Sequence, residues 1–241
     1  MFYVGMALAA WLGGFVQTMV GFGAAVCILL YLTNFMSISA APSVAAVVCL
    51  VLNFSLVMQF RKSVRVKKIW APMAIYSVVS LLVVSLIKSF QANTLTIFFG
   101  IFLILIAVYY LFLSKRIKIH DNGTGMMLAS SSISGLFAGL FSIGGPTLSI
   151  YYIALLGPGD LFIANLQISF LIVNIVLCVG RAANGLLTIS MIPACVVGII
   201  GAIFGQIIGR MLRDKLSTNV LAKLVYSAVG ISGLLVILQH I

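Results

Sequence analysis

From residue 3 to residue 238 the chain is one apolar run after another, with only short polar breaks between them. The runs fall at roughly 3–35, 40–60, 69–87, 95–113, 126–156, 161–180, 186–208 and 219–238. A helix spans a bilayer with about 20 apolar residues. Six runs have the length of one crossing, and little is left over for a water-soluble domain. Only 7% of the residues are charged, against about 25% in soluble domains. Such a chain cannot hydrate a globular surface, which excludes soluble, disordered and nucleic-acid-binding classes despite a net charge of +11. The runs are apolar on all sides, whereas β-barrel spans alternate, so the expected class is an all-α integral membrane bundle. The start, MFYVGMALAAWLGGF, lacks a basic segment and a small-residue cleavage site, so it reads as part of the bundle and not as a removable signal.

The first and fifth runs are too long for one crossing, and glycine interrupts each near its middle. They are related by an internal repeat. A shift of 121 residues, without gaps, superposes Gly14 on Gly135, Gly23 on Gly144, Tyr31 on Tyr152, Asn53 on Asn174 and Pro72 on Pro193. Glycine, asparagine and proline have positional meaning in helices, so these matches point to two halves, 1–120 and 122–241. Each half holds one broken helix (3–35 or 126–156) followed by three crossings (40–60, 69–87 and 95–113, or 161–180, 186–208 and 219–238).

Charge decides between two topologies. If all eight runs cross, the 14 Lys and Arg split into 9 cytoplasmic and 5 external. If the two broken helices are re-entrant, each half has three crossings, the halves are inverted, and the split becomes 12 and 2, with Lys88 and Arg181 outside. The positive-inside rule favours the inverted arrangement. Inverted repeats with interrupted helices are the sequence signature of secondary transporters, and irregular backbone at membrane depth is tolerated only where it is buried in protein or lines a cavity.

The candidate binding residues therefore lie at the two interruptions. In the first they are Gln17, Thr18, Gly21, Phe22, Gly23 and Ala24; in the second, Ser142, Gly144, Gly145 and Pro146. Pro146 suits a first helical turn. Each break is expected to open a half-helix, near Phe22–Ala25 and Gly145–Leu148, whose free N–H groups and positive dipole end form an anion site. The competing reading is that the glycines only let helices pack closely. Asn53 and Asn174 lie in the middle of the following runs; they either brace the breaks or touch the solute. Gln167 is a weaker candidate, and Thr18 and Ser142 can instead bond their own helix backbone. Arg181 is read as snorkelling, with a cavity-facing role toward the anion as the alternative; Lys223 is read as snorkelling too, and Trp11 and Trp70 as interface anchors.

The strings VGFGAAV and SGLFAGLFSIGGPTLSIYY, at matched positions in two halves, resemble the TauE/SafE sulfite exporter family of membrane permeases. The resemblance covers the whole chain. It implies transport of small sulfur-containing or organic anions, such as sulfite or sulfoacetate, across a bacterial or archaeal cytoplasmic membrane. Many relatives carry an Arg after the Phe that opens the helix following the second break; here that stretch is Phe162-Ile163-Ala164-Asn165.

Other chemistries lack their residues. There is no glutamate, and Asp121, Asp160, Asp214, His120 and His240 all lie outside the apolar runs. Proton relays use intramembrane acids or histidines, so no buried-carboxylate proton pump is expected. No protease constellation, no nucleotide-binding loop, no cofactor and no metal site is expected either. Cys27, Cys49, Cys178 and Cys195 show no metal or redox spacing and read as packing residues. The expected partners are a small anionic substrate and the lipid bilayer, with no nucleic acid; nothing in the sequence specifies an oligomeric state. A secondary transporter leads, an anion channel is the alternative, and a non-transporting membrane scaffold comes last.

Overall fold

The computed structural model describes residues 1–113, 123–213, 215 and 218–238. All regular structure among them is helical. The first break separates α1 (Phe2–Val20) from α2 (Ala24–Leu32), and α3 (Ala41–Gln59), α4 (Val66–Leu86) and α5 (Ala92–Val108) follow. The second break separates α6 (Thr124–Phe141) from α7 (Gly145–Leu156), before α8 (Asp160–Ala183), α9 (Ile192–Leu212) and α10 (Thr218–Leu238). Seven helices are long and apolar enough to cross a membrane. Large apolar side chains such as Leu8, Val78, Phe98 and Ile200 stand exposed on the outside, as they must if lipid replaces water there. The protein is a multi-pass membrane protein.

Helix boundaries repeat with the sequence. α1 and α6 end at Val20 and Phe141, and α2 and α7 begin at Ala24 and Gly145, both offset by 121 residues. The proline pair differs: Pro193 sits in the first turn of α9, while Pro72 lies inside α4, because α9 starts later in its half.

Packing crosses between the halves. α1 lies on α9 with backbone close to backbone. A Cβ on Gly201 would stand 2.3 Å from the Ala7 carbonyl oxygen, and one on Gly205 1.9 Å from that of Trp11. Ala7 thus faces Gly201, Trp11 faces Gly205 and Thr18 faces Gly209, so the two helices run in the same direction. In the reciprocal contact, Gly135 and Gly139 of α6 sit against Val79 and Val83 of α4. Small residues at such crossings let dispersion act over the whole helix length. The close-packing reading therefore holds for Gly14, Gly135 and Gly139.

The first hairpin folds back on itself. Gly13 lies against Ala24, and the Tyr31 hydroxyl donates to the Phe2 carbonyl at 2.8 Å, so the two outer ends of α1 and α2 sit together. In the second, the Ser134 and Thr147 hydroxyls share a 2.6 Å bond. At one end of the bundle the Arg65 N–H donates to Asn165 Oδ1 at 2.7 Å, Asn165 Nδ2 donates to the Ser63 carbonyl, Arg210 donates to Ser55 Oγ at 2.7 Å, and Arg213 stands 3.9 Å from Asp160. Basic residues of 61–68 and of 210–213 thus share that basic end. The other end joins Ser43 to the Leu186 carbonyl and Arg181 to that of Ser39. Asn165 thus holds the basic loop.

Two sequence expectations need correction. Arg181 does not snorkel: it is 0% exposed, because α6 and the segment before α3 close over it. Trp11 lies in the middle of α1, stacked 6.1 Å from Phe15, and not at a helix end. Trp70, by contrast, is exposed in the second turn of α4, beside the basic loop. Asp121, Asp214, His120 and His240 lie outside the described residues.

Candidate binding site at the two helix breaks

α1 ends in the left-handed Gly21, φ 95°, whose N–H bonds the Gln17 carbonyl at 2.8 Å. Gly23, φ 121°, then turns the chain into α2. An L side chain in the left-handed region costs about 1–2 kcal/mol. The second break pays that cost openly: Ser142, at φ 58°, is the one non-glycine residue with positive φ among those described. Its hydroxyl donates to the Pro42 carbonyl at 2.9 Å. Gly144 then caps α7, with Pro146 in the first turn.

The two breaks meet. A Cβ on Gly145 would stand 2.7 Å from Phe22 Cβ, and one on Gly144 2.1 Å from the Tyr76 hydroxyl oxygen. Between them lies a cavity of about 30 Å³, room for about two waters. Of the expected residues, Gln17, Phe22, Gly23, Asn53, Ser142, Gly144, Gly145, Pro146 and Asn174 line it. Gly21, Ala24 and Thr18 do not. Thr18 bonds back to the Gly14 carbonyl at 2.8 Å and packs against Gly209. Ala24 is buried against Gly13. The Gly21 carbonyl is occupied by Gln167 Nε2 at 2.6 Å, so Gln167 braces the first break and does not line the cavity.

The wall is rich in hydrogen-bond donors. Gln17 Nε2 donates to Asn53 Oδ1, which fixes the Asn53 amide and leaves its Nδ2 group without a protein acceptor among the described residues. Asn174 and the Tyr76 hydroxyl make no hydrogen bond there at all, yet both line the cavity. The first-turn N–H groups of α2 and α7 have no intrahelical acceptor, and both helices start at the wall. No carboxylate lines the cavity. These open N–H and O–H groups reach the cavity and can donate to a guest there. Among the described residues no cluster of His, Cys, Asp and Glu is able to hold a metal ion.

Tyr76, Phe170 and Cys49 also line the cavity and were not among the expected site residues. One aromatic or cysteine among many in apolar runs gives no positional signal. The exception was available in principle: Tyr76 lies one helical turn from Pro72, the repeated proline.

The family model described as "Sulfite exporter TauE/SafE" matches residues 6–236, nearly the whole chain. No curated protein and no solved structure shows a significant match.

Proposed function

Because the chain belongs to the sulfite exporter TauE/SafE family, a family of membrane transporters, we propose that it is a secondary carrier for a small anion, an oxyanion of sulfur such as sulfite or an organic anion such as sulfoacetate. The observation that carries this reading is the wall of the cavity. Asn53, Asn174 and Tyr76 present donors, two helix N-termini add theirs, and no acid opposes them. Two helix N-termini and the lack of any acid in the wall favour an anion over a cation there.

The halves are inverted and the hairpins re-entrant in this reading. Three features support it: the shared end of the basic segments, the return of α2 along α1 and the reciprocal packing of α1 on α9 and α6 on α4. The basic end then faces the cytoplasm of a bacterial or archaeal cell, and both chain ends face outward. A cavity of about 30 Å³ is smaller than any of these anions with a hydration shell, so binding requires the site to widen and the anion to shed water. Transport proceeds by opening one side at a time, with binding at the meeting point of the breaks.

The test is flux into proteoliposomes with labelled sulfite, sulfoacetate and a panel of carboxylates. Saturable uptake with counterflow is the expected result; large single-channel currents would make the protein a channel, and uptake of none of these anions by well-folded protein would remove the substrate class. A reporter fused after Ile241 is expected to read external, and a cytoplasmic reading would overturn the re-entrant topology alone.

A further inference from the structure

Among the described residues Arg181 is the one guanidinium sealed inside the bundle, at 0% exposed. Its Nη1 donates to the Ser39 carbonyl at 3.1 Å, and its Nη2 to the carbonyls of Gly139 at 2.7 Å and Leu140 at 3.2 Å. Gly139 and Leu140 form the last turn of α6, just before the second break. Carbonyls there carry the negative end of the helix dipole, so the cation holds the break against the segment leading into α3. Three neutral acceptors do not neutralise a buried charge. The buried Nε has no acceptor, and no carboxylate among the described residues pairs with Arg181; their one ion pair joins Arg213 to Asp160 at the other end.

The surroundings give this charge a place on a route. Beside Ser39 lies a second, larger cavity of about 430 Å³ at the end of the bundle away from the basic loops, with Ser37, Asn34, Thr96 and Ser232 in its wall. Phe99, also in that wall, packs 5.1 Å from Phe141. Phe141 immediately precedes Ser142, which lines the central cavity. The second break and the Phe99–Phe141 pair therefore stand between the larger cavity and the central one. The first half has no counterpart to the charge: the position equivalent to Arg181 is Phe60, and the first break is tied by the neutral Gln167.

We propose that Arg181 is the latch of the outer gate and a transient site for the passing oxyanion. In the closed state it ties the second break to the Ser39 segment. An oxyanion arriving in the larger cavity is a stronger acceptor than a carbonyl. It draws the guanidinium from Gly139 and Leu140, frees the break and gains a way to the central cavity. Arg181 is a positioning residue for the binding site, acting through the break it holds. The proposal rests on the transporter reading, but its test does not depend on knowing the transported solute.

The test uses Cys49, which lines the central cavity, as the reporter, in the full chain with Cys27, Cys178 and Cys195 replaced by Ser. The probe is the membrane-impermeant anion sulfonatoethyl methanethiosulfonate, added to either face of right-side-out or inside-out vesicles without transport substrate. Arg181→Gln is expected to label faster from the outer face by at least about tenfold, the effect of losing one charge-assisted hydrogen bond. Labelling from the cytoplasmic face stays unchanged, and Arg181→Lys falls in between. A merely structural role would change both faces together or neither, and either result overturns the proposal. If neither variant inserts, the question passes to a chain that keeps Arg181 and carries cysteines at Ser39 and Leu140 in place of the native four. A short bifunctional thiol linker between them is expected to block outer-face access of the same probe to a cysteine restored at position 49, reversibly on reduction of the linker; unaltered access overturns the latch. Flux of sulfite failing in every protein while labelling behaves as expected would sink the substrate assignment and leave the latch standing.

Discussion

Gly23 and Gly144 occupy equivalent positions in the two halves, and each needs its glycine for a different reason. Gly23 has φ 121° and open space around it apart from Val16 at 3.0 Å. Gly144 has an ordinary φ of −109° but no space, with the Tyr76 hydroxyl where a Cβ would go. Two residues earlier in each break the contrast reverses. Gly21 supplies the left-handed turn in the first break, while in the second Ser142 takes it and bonds Pro42. The asparagines diverge too: Asn53 is held by Gln17, and Asn174 has no hydrogen-bond partner among the described residues. The braces differ most, a neutral amide on the first break and a buried cation on the second. The two breaks stand at matching positions in the sequence yet turn and brace the chain by different physics.

Five substitutions press on that contrast. The largest effect is expected from Gly144→Val, which places carbon on Tyr76 and forces the second break off the cavity. Flux should fall about a hundredfold or more, given the 1–3 kcal/mol typical of overpacking and its effect on rate, while membrane insertion persists. Gly23→Ala meets strain and not a wall, so its loss should be nearer tenfold, corresponding to about 1–2 kcal/mol; equal losses in flux assays would erase the distinction. The asparagine pair separates stability from binding. Asn53→Ala strands Gln17 and should lower the thermal midpoint in detergent by the equivalent of about 1–3 kcal/mol. Asn174→Ala has no protein bond to lose, so the midpoint should hold while KM rises about tenfold, as loss of one donor to an anion implies. The smallest effect is expected from Ser142→Gly. Relief of the left-handed strain offsets loss of the bond to Pro42, and unfolding free energy should move by less than about 1 kcal/mol.

Much of the site's address was legible in the sequence. Glycine and proline are rare tools with few uses inside an apolar helix, so Gly21, Gly23, Gly144 and Pro146 announced where the chain breaks. The repeated Asn53 and Asn174 were legible for the same reason: an amide in an apolar run must answer for its burial. The spacing did not say which glycines form the breaks and which pack helices. Gly14 and Gly135 match across the halves as well as Gly23 and Gly144 do, and only the approach of Ala202 and of Val79 marks them as packing positions. Arg181 was misread because a cation at the end of an apolar run is free to reach water; what buries it is α6, a helix some 40 residues away in sequence. Phe170 left no trace, since an aromatic ring in such a composition carries no address of its own, and Tyr76 had only its nearness to the repeated Pro72.

The exchange of partners between the halves has a consequence for how the molecule is assembled. α1 rests its backbone on α9, and α6 rests on α4, so each hairpin is seated by helices synthesised with the other hairpin. A ribosome that has finished only the first 120 residues has made α1 and α2 without their seat, and the glycine seam that receives them does not yet exist. That intermediate must wait in the lipid with its hairpin unsupported, and a half-length chain expressed on its own would never gain that support.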